Sequence, residues 1–95
     1  MTKVIWFKAA VDDLKCLKDY ISQDDPNAAK LVVARLKEAV DLLSQQPGIG
    51  RLGRVPNTKE LVVNKTQYIL PYRVRDKKIE ILRVLHSSRQ WPESL

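Results

Sequence analysis

The sequence predicts an α+β fold: an N-terminal strand, an antiparallel two-helix hairpin, then a three-stranded antiparallel meander. Three observations predict it. Val4, Ile5, Trp6 and Phe7 form a short β-prone run; apolar residues then recur at helical spacing to about Gln46; and from Glu60 to His86 apolar and charged residues alternate. With 95 residues the chain has room for one modest core and reads as a single domain, 1–95.

Lys3 to Phe7 reads as an edge strand. From Ala9 to Ser22, Ala10, Leu14, Leu17 and Ile21 recur at spacings of four, three and four, the stripe of an amphipathic helix. Ser22-Gln23-Asp24 breaks that pattern. Asp25-Pro26 then opens a second helix, with the carboxylate as N-cap and the proline at the first helical position. Its apolar face, Ala28, Val32, Leu36, Ala39 or Val40, and Leu43, runs to about Gln46. So short a connection folds the two helices into a hairpin with one shared stripe. Pro47-Gly48-Ile49-Gly50 ends the second helix, and a loop containing Gly53 and Pro56 follows. Strands are expected at Glu60–Asn64, Gln67–Arg75 and Lys78–His86. Asp76-Lys77 is the two-residue turn of a hairpin, without the glycine favoured at its second position.

Alternation assigns the faces of that hairpin. With Arg75 opposite Lys78, Tyr72 faces Ile81, Leu70 faces Arg83 and Tyr68 faces Leu85. This side, with Val74 and Ile79, is mostly apolar and should cover the helices. The other side carries Ile69, Pro71, Arg73 and Arg75 opposite Lys78, Glu80, Leu82, Val84 and His86, and sets Arg73 directly across from Glu80. It is expected to be the exposed, functional side. Tyr68 and Tyr72 are expected in the core, with hydroxyls reaching water or backbone.

The formal net charge is +6. Residues 1–50 hold seven Lys or Arg against seven Asp or Glu, whereas residues 51–95 hold ten against four, so the whole surplus lies in the strand-built half. A one-sided field of this kind attracts phosphates or an acidic protein partner. No apolar run approaches the roughly 18 residues of a membrane span. Acids follow the first apolar patch too closely for a signal peptide, so a cytoplasmic location is expected. Lone Cys16, on a helix, is expected to pack. One His and one Cys far apart do not make a ligand cluster, and neither Gly48-x-Gly50 nor Gly53 has the setting of a phosphate-cradling loop. No metal or cofactor is expected.

Strand, helical hairpin and meander, closing on VLH-x-x-R-x-W, resemble the RelE/ParE superfamily of toxins from bacterial type II toxin–antitoxin modules. The motifs that carry the likeness span nearly the whole chain. They are Trp6 before the first helix, Asp13-Leu14 and Tyr20-Ile21 within it, and DP-x-AA from Asp25 to Ala29. The G-R-x-G-R-V loop, the EL-V-V strand, YILPYRV and ILRVLH follow in the family's order. Phe7 stands where the family commonly has a Thr cap, so the first helix is expected to start raggedly. The resemblance implies a small sheet curled around the hairpin, a cognate antitoxin that wraps the toxin, operator DNA reached only through that antitoxin, and growth arrest by the free toxin. The family divides on its target. RelE-like members cleave messenger RNA on the ribosome; ParE-like members poison DNA gyrase and need no cleavage chemistry; an inactive module acting only with its antitoxin is a third outcome.

A metal-independent nuclease must activate the 2′-hydroxyl, steady the phosphorane charge and protonate the leaving oxygen. His86 would be its base or acid, with Arg73, Arg54 and Arg89 as charge stabilisers; lone strand-end histidines are also commonly structural. RelE-type nucleases carry cations along the central strands, one of them directly after the first Tyr of Y-x-x-x-Y. This chain has Ile69 there, and the preceding strand supplies Leu61, Val62 and Val63. The resemblance is therefore closer to ParE, and gyrase inhibition is the expected activity. Arg51, Arg54, Arg73, Arg89 and Trp91 are the expected target- or antitoxin-binding residues, since aromatic and Arg side chains dominate binding hot spots. Trp91 could equally fold back to seal the sheet edge. An antitoxin helix is expected along the hairpin, presenting apolar side chains and acids to the basic sheet edge.

Overall fold

The computed structural model describes residues 2–92 and 94–95. Strand β1 (Lys3–Trp6) leads into helix α1 (Lys8–Asp24), and a single residue, Asp25, joins α1 to helix α2 (Pro26–Gln45). α1 begins without a side-chain cap, because Phe7 has no polar group to offer the free N–H groups. The expected break at Ser22 does not occur. Those residues stay helical, and the chain turns at Asp25, whose extended backbone (φ −153°, ψ 97°) is the conformation a following proline favours. Asp25 Oδ1 accepts from the N–H groups of Asn27 (3.0 Å) and Ala28 (3.2 Å), as an N-cap should.

Strands β2 (Arg51–Leu52), β3 (Lys59–Val62), β4 (Tyr68–Arg75), β5 (Lys78–Ile81) and β6 (Leu85–His86) complete one sheet. Its order is β1-β5-β4-β3-β2, with β6 paired to β4 beyond the end of β5. β1 lies at the edge, as expected, and runs parallel to β5; the other pairings are antiparallel. Arg51 and Leu52, expected in a loop, pair instead with Glu60 and Lys59. The β4–β5 register is the expected one, with Arg75 opposite Lys78, Arg73 opposite Glu80 and Tyr72 opposite Ile81. Asp76 and Lys77 close the hairpin with left-handed backbones (φ 52° and 60°), each at a cost of about 1 kcal/mol that a glycine would avoid.

The helix-facing side of the sheet and the hairpin bury Leu17, Leu36, Leu43, Leu70, Tyr72, Ile79 and Ile81 in one cluster. Tyr72 is fully buried, and its hydroxyl donates to the Pro47 carbonyl (2.9 Å) and accepts from the Gly50 N–H (2.9 Å). Burial pushes the phenol pKa up, and the Gly50 N–H offsets this only in part. The approach is so close that a Cβ on Gly50 would sit 2.5 Å from the hydroxyl oxygen. Glycine is therefore required there, and β4 fixes the segment that leads from α2 into β2.

Candidate functional site

The final strand is interrupted. Through Leu82 it keeps the hairpin register, the Leu82 N–H donating to the Pro71 carbonyl at 2.9 Å. Beyond it the pairs are Ile69–Leu85 and Tyr68–His86, one residue later. The strand thus carries one extra residue, a β-bulge at Arg83–Val84. Asp13 of α1 holds it. Its carboxylate accepts from the Val84 N–H (3.0 Å), which the bulge removes from the ladder, and from Arg83 Nε (2.6 Å) and Nη2 (3.0 Å). The hydrogen bonds to Asp13 raise the Arg83 pKa above its ordinary value.

An extra residue reverses the alternation of everything after it. His86, expected on the outer side with Arg73, instead opposes Tyr68 on the helix-facing side, ring edge to ring face with centroids 5.4 Å apart. Val84, also expected outside, joins the buried cluster beneath the helices. The Ser88 N–H donates to His86 Nδ1 at 3.2 Å, and Ser88 Oγ lies 2.9 Å from the same nitrogen. A backbone N–H can only donate, so Nδ1 carries the lone pair and a neutral ring carries its proton on Nε2.

β6 and the residues after it face α1 across a cleft of about 400 Å³ lined by Cys16, Tyr20, Tyr68, His86, Arg89 and Trp91. Cys16, expected to pack, is exposed. Tyr20 is 61% exposed, and the Arg89 guanidinium lies 5.5 Å from the centre of its ring. Three of the expected site residues, His86, Arg89 and Trp91, therefore share one cleft.

The other arginines are engaged elsewhere. Arg73 lies on the outer side, its Nε 2.5 Å from Glu80 Oε1, the cross-strand pair that alternation predicts. Arg51 and Arg54 clamp Glu60. Oε1 accepts from Arg51 Nε (3.2 Å) and Nη2 (3.0 Å), and Oε2 accepts from the Arg54 backbone N–H (2.9 Å) and Nε (3.0 Å). Burial pushes the Glu60 carboxyl up, but the side chain and backbone of Arg54, with Arg51, outweigh it and hold the pKa below the usual range. Arg54 also stacks on Trp91, 3.5 Å from the ring centre, and the Trp91 indole N–H donates to the His86 carbonyl at 3.1 Å. Trp91 is thus folded back onto the sheet. The outer side is not the open platform expected from alternation: Ile69, Leu82 and Glu60 are each 3% exposed, with the arginine clamp lying over Glu60.

The sequence marks Asp13 and Tyr20 only as motif residues and Arg83 only by its place opposite Leu70; none of the three is expected in the site. The signal for the bulge is present, because the apolar pairs Ile81-Leu82 and Val84-Leu85 flank Arg83 and cannot both fit a strict alternation. Among the described residues no three His, Cys, Asp or Glu gather to hold a metal ion, and no helix is long and apolar enough to cross a membrane.

A helical hairpin packed on one face of a mixed sheet in this strand order is the fold of a small toxin of the RelE/ParE type. The chain belongs to the family described as the ParE toxin of the type II toxin–antitoxin system, parDE, whose pattern matches residues 4–91. It is 44% identical over 93 residues to Y4kP of Sinorhizobium fredii, covering 98% of this chain and 96% of that protein. It is 39% identical over 89 residues to Toxin RelE2 of Caulobacter vibrioides, covering 94% and 99% respectively. A structure of the chromosomal ParDE toxin–antitoxin system from P. aeruginosa matches with a TM-score of 0.81 and 31% identity, over 90% of this chain and 96% of that one.

Proposed function

We propose that this toxin arrests growth by binding DNA gyrase, and that its cognate antitoxin neutralises it by direct contact. The names of its relatives divide between the two branches of the superfamily, so the reading rests on geometry. The bulge at Arg83–Val84 carries it, because it leaves His86 and Arg73 on opposite sides of the sheet. Cleavage of RNA by acid–base chemistry needs a base and cations converging on one phosphate. In this conformation His86 Nδ1 accepts from the Ser88 N–H, so that nitrogen is not free to take a proton from a 2′-hydroxyl. Arg51, Arg54 and Arg73 are held by Glu60 and Glu80. Ile69, where RelE-like nucleases have a cation, is buried.

A binding toxin needs none of that chemistry. It needs anchors, and Tyr20, Tyr68, Arg89 and Trp91 around the cleft are of the residue types that dominate binding hot spots. The antitoxin's complement is an apolar groove of about 520 Å³ between the helices, lined by Val11, Leu14, Val33, Leu36 and Val40 with Lys37 and Asp41 at its rim. Such a groove suits the apolar face of an amphipathic helix. Operator DNA is then reached through the antitoxin, and the pair acts in the cytoplasm.

Ribosome-dependent cleavage of messenger RNA is the second reading, favoured by Tyr68, His86 and Arg89 lining one cleft. One experiment separates the two. Purified toxin added to gyrase and relaxed plasmid should suppress supercoiling, and prior addition of antitoxin should restore it. Unimpaired supercoiling together with cutting of ribosome-bound message overturns the gyrase reading.

A further inference from the structure

The outward flank of α2 presents a stripe distinct from the groove assigned to the antitoxin. Leu31, Arg35, Glu38 and Leu42 recur at spacings of four, three and four and so line one side of the helix. Leu31 and Leu42 are 57% and 47% exposed. Arg35 Nη1 and Glu38 Oε2 lie between them, 3.6 Å apart. At about 100° per residue, the stripe points roughly 160° away from Val33, Lys37 and Val40 of the antitoxin groove. Beside it, between α2 and β3, is a cleft of about 210 Å³ lined by Ala39, Leu42, Leu61 and Val62 together with Asn64 and the stripe's own Arg35 and Glu38. β2 pairs only with Lys59 and Glu60, leaving Val62 half exposed at this margin of the sheet.

We propose that this flank is the interface between two copies of the chain, packed with their α2 helices antiparallel about a twofold axis at the helix midpoint. The residue order is self-complementary, as a twofold contact requires. Pairing centred between Leu36 and Lys37 sets Leu31 of each copy opposite Leu42 of the other, Arg35 opposite Glu38, and Ala34 opposite Ala39. Every contact occurs twice. The alanines let the helices approach, each Leu31 enters the cleft beside the opposing Leu42, and the four charges meet with opposite signs. A partner of different sequence would not require this palindrome. The two leucines stand about 16 Å apart along the helix axis. So short a strip covers well under the ~800 Å² per partner of a standard interface, and the dimer is correspondingly weak, with a dissociation constant in the micromolar range or above. Nothing in this inference depends on the toxin's target.

The test is sedimentation equilibrium of the purified toxin from low micromolar to near-millimolar concentration, with Arg35→Glu, Glu38→Arg and an equimolar mixture of the two. Circular dichroism establishes that each variant is folded. Wild type should shift from one-chain toward two-chain mass. Each variant alone should associate at least tenfold more weakly, because like charges then face each other across the axis. The mixture should recover wild-type association, because an acidic stripe then meets a basic one. A wild-type toxin that stays monomeric throughout overturns the proposal, as do variants that associate as wild type does, or a mixture that recovers nothing. Loss of antitoxin affinity in Arg35→Glu beside a monomeric wild type would also overturn it, and would give the flank to the antitoxin.

Discussion

Replacing Asp13 with alanine removes the side chain that ties α1 to the bulge, and three hydrogen bonds go with it. Val84 is 4% exposed, so its N–H is left without a partner and without ready access to water. An orphaned buried N–H costs about 1–3 kcal/mol. The Arg83 and Asp13 side chains are 27% and 19% exposed, so losing their pairing adds about 1 kcal/mol once solvent screening is allowed for. The sum is a destabilisation of about 2–4 kcal/mol, which for a domain of this size lowers Tm by roughly 10–25 °C. Urea and thermal unfolding followed by circular dichroism measure it directly. Asp13→Asn keeps an acceptor for the Val84 N–H and should cost about half as much. In an Arg83→Ala background, Asp13→Ala should still lose the backbone share of about 1–3 kcal/mol. A loss below about 1 kcal/mol in the single variant would mean that the bulge holds itself, and that Asp13 does not set the position of His86.

Three further outcomes are expected. The Glu60 carboxyl titrates below its ordinary 4.5 in the folded protein, so as pH falls through that value the unfolded chain takes up protons first and stability drops; Glu60→Gln should be less stable near neutrality and show a shallower acid limb in Tm against pH, and parallel limbs would contradict this. Gly50→Ala drives a methyl group against the Tyr72 hydroxyl and should cost about 2 kcal/mol in urea unfolding, an effect under about 0.5 kcal/mol being incompatible with the observed approach. Arg89→Glu reverses a charge in the cleft around His86 and should weaken gyrase binding most at low ionic strength in calorimetric titrations, and unchanged affinity there removes Arg89 from the target-binding surface.

Much of the fold is legible in the sequence because its signals are local. Helical periodicity and the Asp25-Pro26 cap identify both helices, and Asp76-Lys77 identifies the hairpin and hence the Arg73–Glu80 pair. The site is less legible because distant contacts build it. Asp13 meets the backbone of Val84 across 71 positions, at the bulge beyond which His86 turns to the helix-facing side. Arg51 and Arg54 look like free cations until the 51–54 segment is seen to fold onto β3, where both reach the buried Glu60. A count of charges registers the surplus in this half of the chain but not which arginines face a carboxylate. Trp91 follows the same rule, since its place is set by the Arg54 guanidinium and the His86 carbonyl.

The claim most exposed to test is that the cleft around His86 binds its target and does not cleave it. His86→Ala decides this in a gyrase supercoiling titration run beside a ribosome-dependent cleavage assay. Removing a general acid or base costs about 10²–10⁴-fold in rate, whereas trimming one contact among several changes potency a few-fold. The account predicts that His86→Ala inhibits supercoiling within about fivefold of wild type, and that neither protein cuts ribosome-bound message. Wild-type cleavage of that message, lost by a hundredfold or more in His86→Ala, would contradict it.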